Sequence, residues 1–450
     1  GSAMAKTVDG VHIATVDKET GKDKVVIDAM TGAAVGALGW GDSDVLDIIN
    51  KAAAESVYSY HIYFGNTHSE KLAQFYIDNS PKDAFAAALW TCSGSESNEN
   101  ALKISYQYWK ELGKTKKTKF ILRKTAYHGY TIGSLSIGSS SRSKYFGDIL
   151  LPSDQTIKLS ECYPYRFQKK GETSEEYGSR LLKELEDTII AEDPETIISI
   201  ILETLPGSSI GTAPPPANYL PGVRALCNKY DILFHLDEVM CGTGRCSKGL
   251  NAWESFLGPG QGPDIQCVGK TLGSGYVTIA GVLISPKVKK VYSDNNAVIA
   301  GGQTYHGHGF NCAVALGIQE KIKAMGLTKN MFEQGTYMGA RLSEELLGKS
   351  KIAGDVRGLG GFWSIEFVKD IESKEVFDTK LDIGHLVQDV CYKNGCTVMG
   401  MQGSYNGTGD HILLAPSFIV TKENIDEIVE IVVKSIKEVE TDLIAKGIVA

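Results

Sequence analysis

Two charged residues stand where short apolar runs end. Asp237 closes the mostly apolar run 232–236, and Lys270 comes two residues after the run Ile265–Val268. A carboxylate at the C-terminal end of a buried strand, where open α/β sheets bind ligands, needs a cationic partner. The plainer readings are a helix N-cap or a salt bridge. A lysine in a partly desolvated pocket has a lowered pKa and can form a Schiff base; otherwise it is a solvated strand end. Ser93-Gly94-Ser95-Glu96-Ser97-Asn98-Glu99 follows the run 85–90 and opens a helical pattern over 96–112. Small residues with free N–H groups at a helix N-terminus bind anions, although Ser95 with Asn98 or Glu99 would also make an ordinary cap. Tyr127-His128-Gly129 comes just after the strand at Phe120, where an aromatic ring could stack on a planar cofactor.

Other phosphate and metal signals are weaker. Gly269-Lys270-Thr271 invites a nucleotide-loop reading, but that motif needs a glycine where Asp264 stands, and Gly262 is out of register. No G-x-G-x-x-G follows a strand and opens a helix. None of the nine cysteines forms a C-x-x-C pair, and Cys241/Cys246 and Cys391/Cys396 lack histidines at matching spacing, so no metal is expected. Taken together, a phosphate cup, a strand-end Asp, a strand-end Lys and an aromatic plate are what pyridoxal phosphate (PLP) requires. The Asp keeps the ring nitrogen protonated, and the Lys holds the aldehyde and later moves protons.

The elements that must position these groups follow from hydrophobic pattern. Residues 24–27 read as a strand and 45–58 as an amphipathic helix. Short apolar runs at 85–90, 119–122, 197–202, 232–236, 265–268 and 280–284 alternate with helical segments at 96–112, 175–191 and 219–229. Strands of this kind separated by helices predict a mostly parallel sheet covered on both faces. Residues 152–171, with charges and aromatics, read as a surface loop. From Cys312 a long helical stretch leads to strands at 353–357 and 362–368 and helices at 383–393 and 423–444. The division expected is an N-terminal segment 1–58, a large domain 59–310 and a small C-terminal domain 311–450 that the N-terminal segment joins.

Composition narrows the function classes. The chain has 450 residues, enough for two or three domains. Its 46 Lys and Arg against 54 Asp and Glu give a net charge of -8, which argues against sequence-independent nucleic-acid binding. The apolar runs are too short to span a membrane. Gly1 to Ala3 before Met4 resemble an expression scar, and no apolar signal segment follows. With the cysteines read as reduced, buried thiols, a cytoplasmic location is expected.

Ser93-Gly94-Ser95-Glu96, Tyr127-His128-Gly129, Asp237-Glu238-Val239, Gly242-Thr243-Gly244-Arg245, Pro263-Asp264 through Gly269-Lys270, and Gly302-Gln303-Thr304-Tyr305 together resemble the class III PLP-dependent aminotransferases of fold type I. The order and spacing fit nearly the whole chain. The resemblance implies an α/β fold with a large domain built on a mostly parallel central sheet, plus a smaller α/β domain from the C-terminal part and the N-terminal segment. It implies that Lys270 is the Schiff-base lysine and proton shuttle and that Asp237 pairs with the pyridinium nitrogen. Val239 would pack behind the ring and Tyr127 in front, beside His128. Gly94 and Ser95 would hold the phosphate with Thr304 of a neighbouring subunit, hence a homodimer with active sites at the interface. Glu203 matches the family's acidic residue, followed here by Thr204 where Pro is usual.

Two departures bear on substrate. Many relatives carry a large aromatic in the segment matching Thr31-Gly32-Ala33-Ala34-Val35-Gly36-Ala37, where Ala34 stands in the expected position. Tyr60, Tyr63 and Phe64 are expected to form an apolar wall or interface packing. Relatives also place an arginine shortly before a segment like Gly409-Asp410-His411-Ile412; here that stretch holds Met399, Gln402 and Tyr405, and no arginine follows Arg357. The expectation is an enzyme that moves an amino group from a bulky or long-chain amine without a nearby carboxylate to a keto acid such as pyruvate. The alternatives are a lyase, decarboxylase or aminomutase of the same family, or a binding protein that has lost the chemistry.

Overall fold

A computed structural model describes residues 4–17, 20–55, 57–139 and 141–450. The expectation for Gly1 to Ala3 lies outside the described residues, as does Ser56 within the helix expected over 45–58. That helix is seen at Ser43–Glu55.

Three sheets organise the chain. Strands β1 (Met4–Asp9), β2 (His12–Val16) and β3 (Asp23–Asp28) form an antiparallel N-terminal meander. The central sheet contains β4 (Ala87–Thr91), β5 (Lys119–Arg123), β6 (Thr156–Leu159), β7 (Ile197–Glu203), β8 (Leu233–Asp237), β9 (Ile265–Val268) and β10 (Ala280–Ile284). Its order is β4-β10-β9-β8-β7-β5-β6, and β10 alone runs against the others. The third sheet comprises β11 (Ala353–Leu359), β12 (Phe362–Phe367), β14 (Met399–Tyr405) and β15 (Thr408–Leu414). Between them the short strand β13 (Cys396–Thr397) pairs in parallel with β3 and so ties the C-terminal region to the N-terminal meander.

The central strands read as continuous apolar runs because both faces are covered: β8, β9 and β10 are buried at every position. Helix Gly94–Glu111 packs on β9 and β10 through Ala101, Ile104 and Tyr108. On the other face lie Leu181, Leu185 and Ile189 of helix Ser174–Ala191 with Leu220 and Val223 of helix Tyr219–Lys229. Helix Gly309–Ala324 serves two cores. Cys312 and Ala315 join the core of the central sheet, whereas Val314, Ile318 and Ile322 join a core built from N-terminal and C-terminal residues.

Two expectations need correction. Residues 152–171 are more than a surface loop: β6 extends the parallel sheet beside β5, and Tyr163 is fully buried. Its four residues were too few to show a period. The long helical stretch from Cys312 is also two helices, Gly309–Ala324 and Leu327–Leu346, broken at Gly326 in the left-handed region.

Candidate active site

The carboxyl ends of the central strands converge on one cavity of about 520 Å³. Glu203 ends β7 and Asp237 ends β8, while Lys270 follows β9 and the Ser93–Ser95 turn follows β4. Tyr127 and His128 follow β5. All of them line the cavity, with Gly94, Ser95 and Val239. The sheet therefore gathers residues that are 177 positions apart, from Ser93 to Lys270.

Asp237 is 6% exposed, and every hydrogen bond it accepts holds it as an anion. His128 Nδ1 lies 2.8 Å and Asn98 Nδ2 2.9 Å from Oδ2; the Val239 N–H donates to Oδ1 at 3.0 Å. Burial pushes its pKa up, but the hydrogen bonds from His128, the Val239 N–H and Asn98 outweigh this and keep it below the usual carboxylate range. Asn98 also donates to the His128 carbonyl at 2.8 Å. The sequence suggested only a capping role for Asn98. Its signal was a polar residue on the face of the helix that carries buried Ala101 and Leu102.

The anion cup differs in detail from the expectation. The helix starts at Gly94, and its N-cap is Ser93, whose hydroxyl accepts from the Glu96 N–H at 3.2 Å. Glu96 in turn accepts from the Cys92 N–H at 2.8 Å. Capping two residues earlier leaves Ser95 within the first turn, its hydroxyl accepting from the Tyr130 N–H at 3.0 Å. Gly94 is required by packing: a Cβ there would lie 2.6 Å from Val239 Cγ1. A Cβ on Gly269 would lie 3.3 Å from the same methyl. Val239 thus fills the space that two glycines leave, directly beside the N-terminus of the 18-residue helix.

Lys270 has φ 46°, a left-handed conformation that costs a non-glycine residue about 1 kcal/mol. The Gln319 side chain pins the turn by donating to the carbonyls of Thr271 and Leu272 at 3.0 and 3.1 Å. Burial lowers the pKa of Lys270, against the opposing pull of Asp237. Glu203 acts one step back. Its carboxylate accepts from the N–H groups of Tyr127 and Gly207, each at 3.1 Å, and from the Ser209 hydroxyl at 3.2 Å, so it fixes the backbone under Tyr127. Burial raises its pKa, with the N–H groups of Tyr127 and Gly207 opposing.

The substrate-pocket expectations divide. Met399 lines the cavity, but Gln402 does not: side chains alternate along β14, so Met401 shares the face of Met399. Gln402 instead donates to the Thr379 carbonyl at 3.0 Å. Ala34 is also corrected. It is fully buried with Met30, Leu205 and Phe362, and its neighbours Ala33 and Val35 reach the cavity instead. Positive φ at Thr31, Gly32 and Ala34 makes this segment turn irregularly, which residue spacing cannot reveal. Tyr60, Tyr63 and Phe64 lie outside the cavity, 42%, 77% and 65% exposed. Exposed Thr304 borders a separate cavity with Tyr60 and Gln303. Wall residues that the sequence did not flag are Leu205, Ser208, Met240, Val277 and Ile279.

The family model for "Aminotransferase class-III" matches residues 3–436. The chain belongs to the class III aminotransferases. It is 38% identical over 414 residues to an uncharacterized aminotransferase of Schizosaccharomyces pombe, covering 91% of this chain and 88% of that one. It is 35% identical over 422 residues to a mitochondrial gamma aminobutyrate transaminase of Solanum lycopersicum, covering 92% and 78%. Among solved structures it resembles an omega transaminase from Pseudomonas jessenii in complex with PMP, with a TM-score of 0.88 at 29% identity over 97% of this chain and 93% of that one. The fold is therefore that of the type I PLP enzymes, and PLP is the cofactor.

The residues present in this aminotransferase fit that group. A helix N-terminus without a Cβ at Gly94 can take the phosphate, a buried carboxylate held ionised can face a ring nitrogen, and a desolvated amine stands on the same cavity wall. Among the described residues no cluster of His, Cys, Asp or Glu could hold a metal ion.

Two outcomes follow. Gly94→Ala must overpack against Val239, at about 1–3 kcal/mol, and should lower PLP affinity roughly tenfold in a fluorescence titration of the apoprotein. Capture of PLP by the apoprotein needs an unprotonated Lys270. Its rate should rise with pH and reach half its plateau below the ordinary lysine range in stopped-flow absorbance, because burial favours the neutral amine.

Proposed function

We propose that this aminotransferase takes its amino group from a bulky or long-chain amine that has no carboxylate near the nitrogen. That group goes, carried on PLP, to a keto acid such as pyruvate, while Lys270 holds the cofactor and moves the proton. One observation carries the donor class: among the described residues lining the cavity, Lys270 is the only lysine or arginine, and the other walls are built from Leu205, Met240, Val277, Ile279, Met399 and Met401. A donor carboxylate would be buried there without a guanidinium to receive it, a costly arrangement. The arginines nearby in sequence motifs are committed elsewhere. Arg245 donates to the Gly361 and Pro416 carbonyls at 3.1 and 2.9 Å, and Arg357 pairs with Glu366 at 2.5 Å. The acceptor's carboxylate is left to neutral donors such as the Ser208 hydroxyl.

PLP, when bound, supplies an electron sink for the donor carbon as it loses a proton. The chain does the rest. Gly94 and Ser95 present N–H groups to the phosphate, Tyr127 and Val239 hold the ring between them, and Asp237 faces the ring nitrogen. Lys270 Nζ takes and returns the proton, and its lowered pKa provides the free amine this requires. The exposed aromatics Tyr60, Tyr63 and Phe64, together with Thr304, support a homodimer in which that apolar strip is covered and Thr304 reaches the partner's phosphate. Nine unpaired thiols favour a reducing compartment, the cytoplasm.

The donor class is tested by the half-reaction. Long-chain and aryl-alkyl amines should bleach the visible band of the holoenzyme, and pyruvate should restore it. Amino acids other than alanine, gamma-aminobutyrate among them, should react more slowly by about tenfold or more, the loss expected for an unpaired buried charge. Fast bleaching by the amino acids with inert alkyl amines would reverse the assignment. Light scattering should give twice the chain mass; a monomer that retains full activity would remove Thr304 from the site.

A further inference from the structure

Behind the Asp237–His128 pair lies a second, very small cavity. It measures about 10 Å³ and is bordered by Arg123, Ala126, His128, Glu161, Cys162 and Glu203. That is the lower bound for a single water molecule. Two of the side chains around it leave buried nitrogens without a hydrogen-bond partner: Nε and Nη2 of Arg123, and Nε2 of His128. Arg123 ends β5, is 6% exposed and stacks 4.5 Å from the centre of the Tyr219 ring. Among the described residues it forms no ion pair. A buried guanidinium with two unused donors is unfavourable unless something else accepts from it.

The proton arrangement of His128 narrows what that acceptor can be. A carboxylate offers only lone pairs, so the hydrogen between His128 Nδ1 and Asp237 belongs to the imidazole. Nε2 then either carries a second proton or offers a lone pair. Burial disfavours the cation, but Asp237 pulls the proton affinity of His128 up. A doubly protonated His128 would cancel the charge of Asp237 and weaken its hold on a protonated ring nitrogen. A water whose lone pairs accept from Arg123 turns its own hydrogens outward and meets a lone pair at Nε2.

We propose that this cavity holds one ordered water that accepts a hydrogen bond from Arg123 and donates one to His128 Nε2. Arg123 is thereby a positioning residue that keeps His128 neutral and leaves Asp237 a full anion for the cofactor ring. The inference rests on Asp237 facing that ring, as in the function proposed above. It adds a water site and a third layer: Arg123, water, His128, Asp237.

The test uses the full chain, with Arg123→Met, the conservative Arg123→Lys, and Cys162→Leu, which fills the cavity and leaves Arg123 in place. High-resolution crystal structures of the wild-type holoenzyme should show the water. ¹⁵N spectra of histidine-labelled protein should place His128 Nε2 in the unprotonated range. Arg123→Met and Cys162→Leu should each lose the water, move Nε2 to the protonated range and weaken PLP binding roughly tenfold; Arg123→Lys should recover most of that affinity. A dry cavity in the wild type overturns the proposal. So does an Arg123→Met protein with unchanged Nε2 and PLP affinity, even if its melting temperature falls, since that is the mark of a packing role alone. If Arg123→Met fails to fold, Cys162→Leu decides the same question. Asp237→Asn run alongside separates the two layers: unchanged PLP affinity there removes the site assignment and the purpose of the bridge with it. A loss there with none in Arg123→Met or Cys162→Leu removes the water bridge alone.

Discussion

A carboxylate withdrawn from water must be given back its hydrogen bonds, and Asp237 is the group around which the whole site is assembled. Its donors come from three separate parts of the chain: Asn98 in the first turns of a helix, His128 in a loop after β5, and the backbone of Val239 just beyond its own strand. Each must arrive together with the others, because a missing donor would let burial raise the pKa and neutralise the group. The parallel sheet supplies this convergence. Strands that run the same way deliver their ends, and the loops that follow, to one edge.

Around that centre the structure uses its glycines for closeness. Gly94 and Gly269 both yield to Val239, and Gly129, with φ 140°, lies where a Cβ would strike the Ser95 hydroxyl. Val239 and Tyr127 line the same cavity as Gly94 at the helix N-terminus and Lys270. Lys270 adopts its left-handed backbone because the turn around it is fixed from outside by Gln319. Local backbone strain is tolerated where the surroundings over-determine it.

A second charged cluster braces a loop that lines the cavity through Leu205 and Ser208. Arg357 of β11 and Arg166 both pair with Glu366 of β12, which is fully buried, and Arg357 also donates to the carbonyls of Ile210 and Gly211. The loop between Glu203 and Thr212 is therefore braced by the third sheet, with the Thr212 hydroxyl donating to the Arg357 carbonyl at 3.0 Å. Buried ion clusters of this kind contribute little net stability compared with apolar packing, but they permit few alternative arrangements. Here they commit Arg166 and Arg357 to structure, and neither lines the cavity.

Residue order alone was enough for the fold class and for which residues gather at the carboxyl edge of the central sheet. Continuous apolar runs such as Ile265–Val268 and 280–284 are strands at those positions because a sheet covered on both faces leaves no polar positions to blur the pattern. Asp237, Lys270, Gly94 and Tyr127 were legible because strand ends and helix starts fix where such residues must lie. Which neighbours reach the cavity was settled by packing. Met401 replaces Gln402 because strand register selects alternate side chains, and Ala33 and Val35 replace Ala34 because positive φ angles rotate that segment. Asn98 joins the site only through its contact with Asp237, 139 positions away. Pattern and spacing report which face a residue occupies along its own element; only packing between elements decides what that face meets.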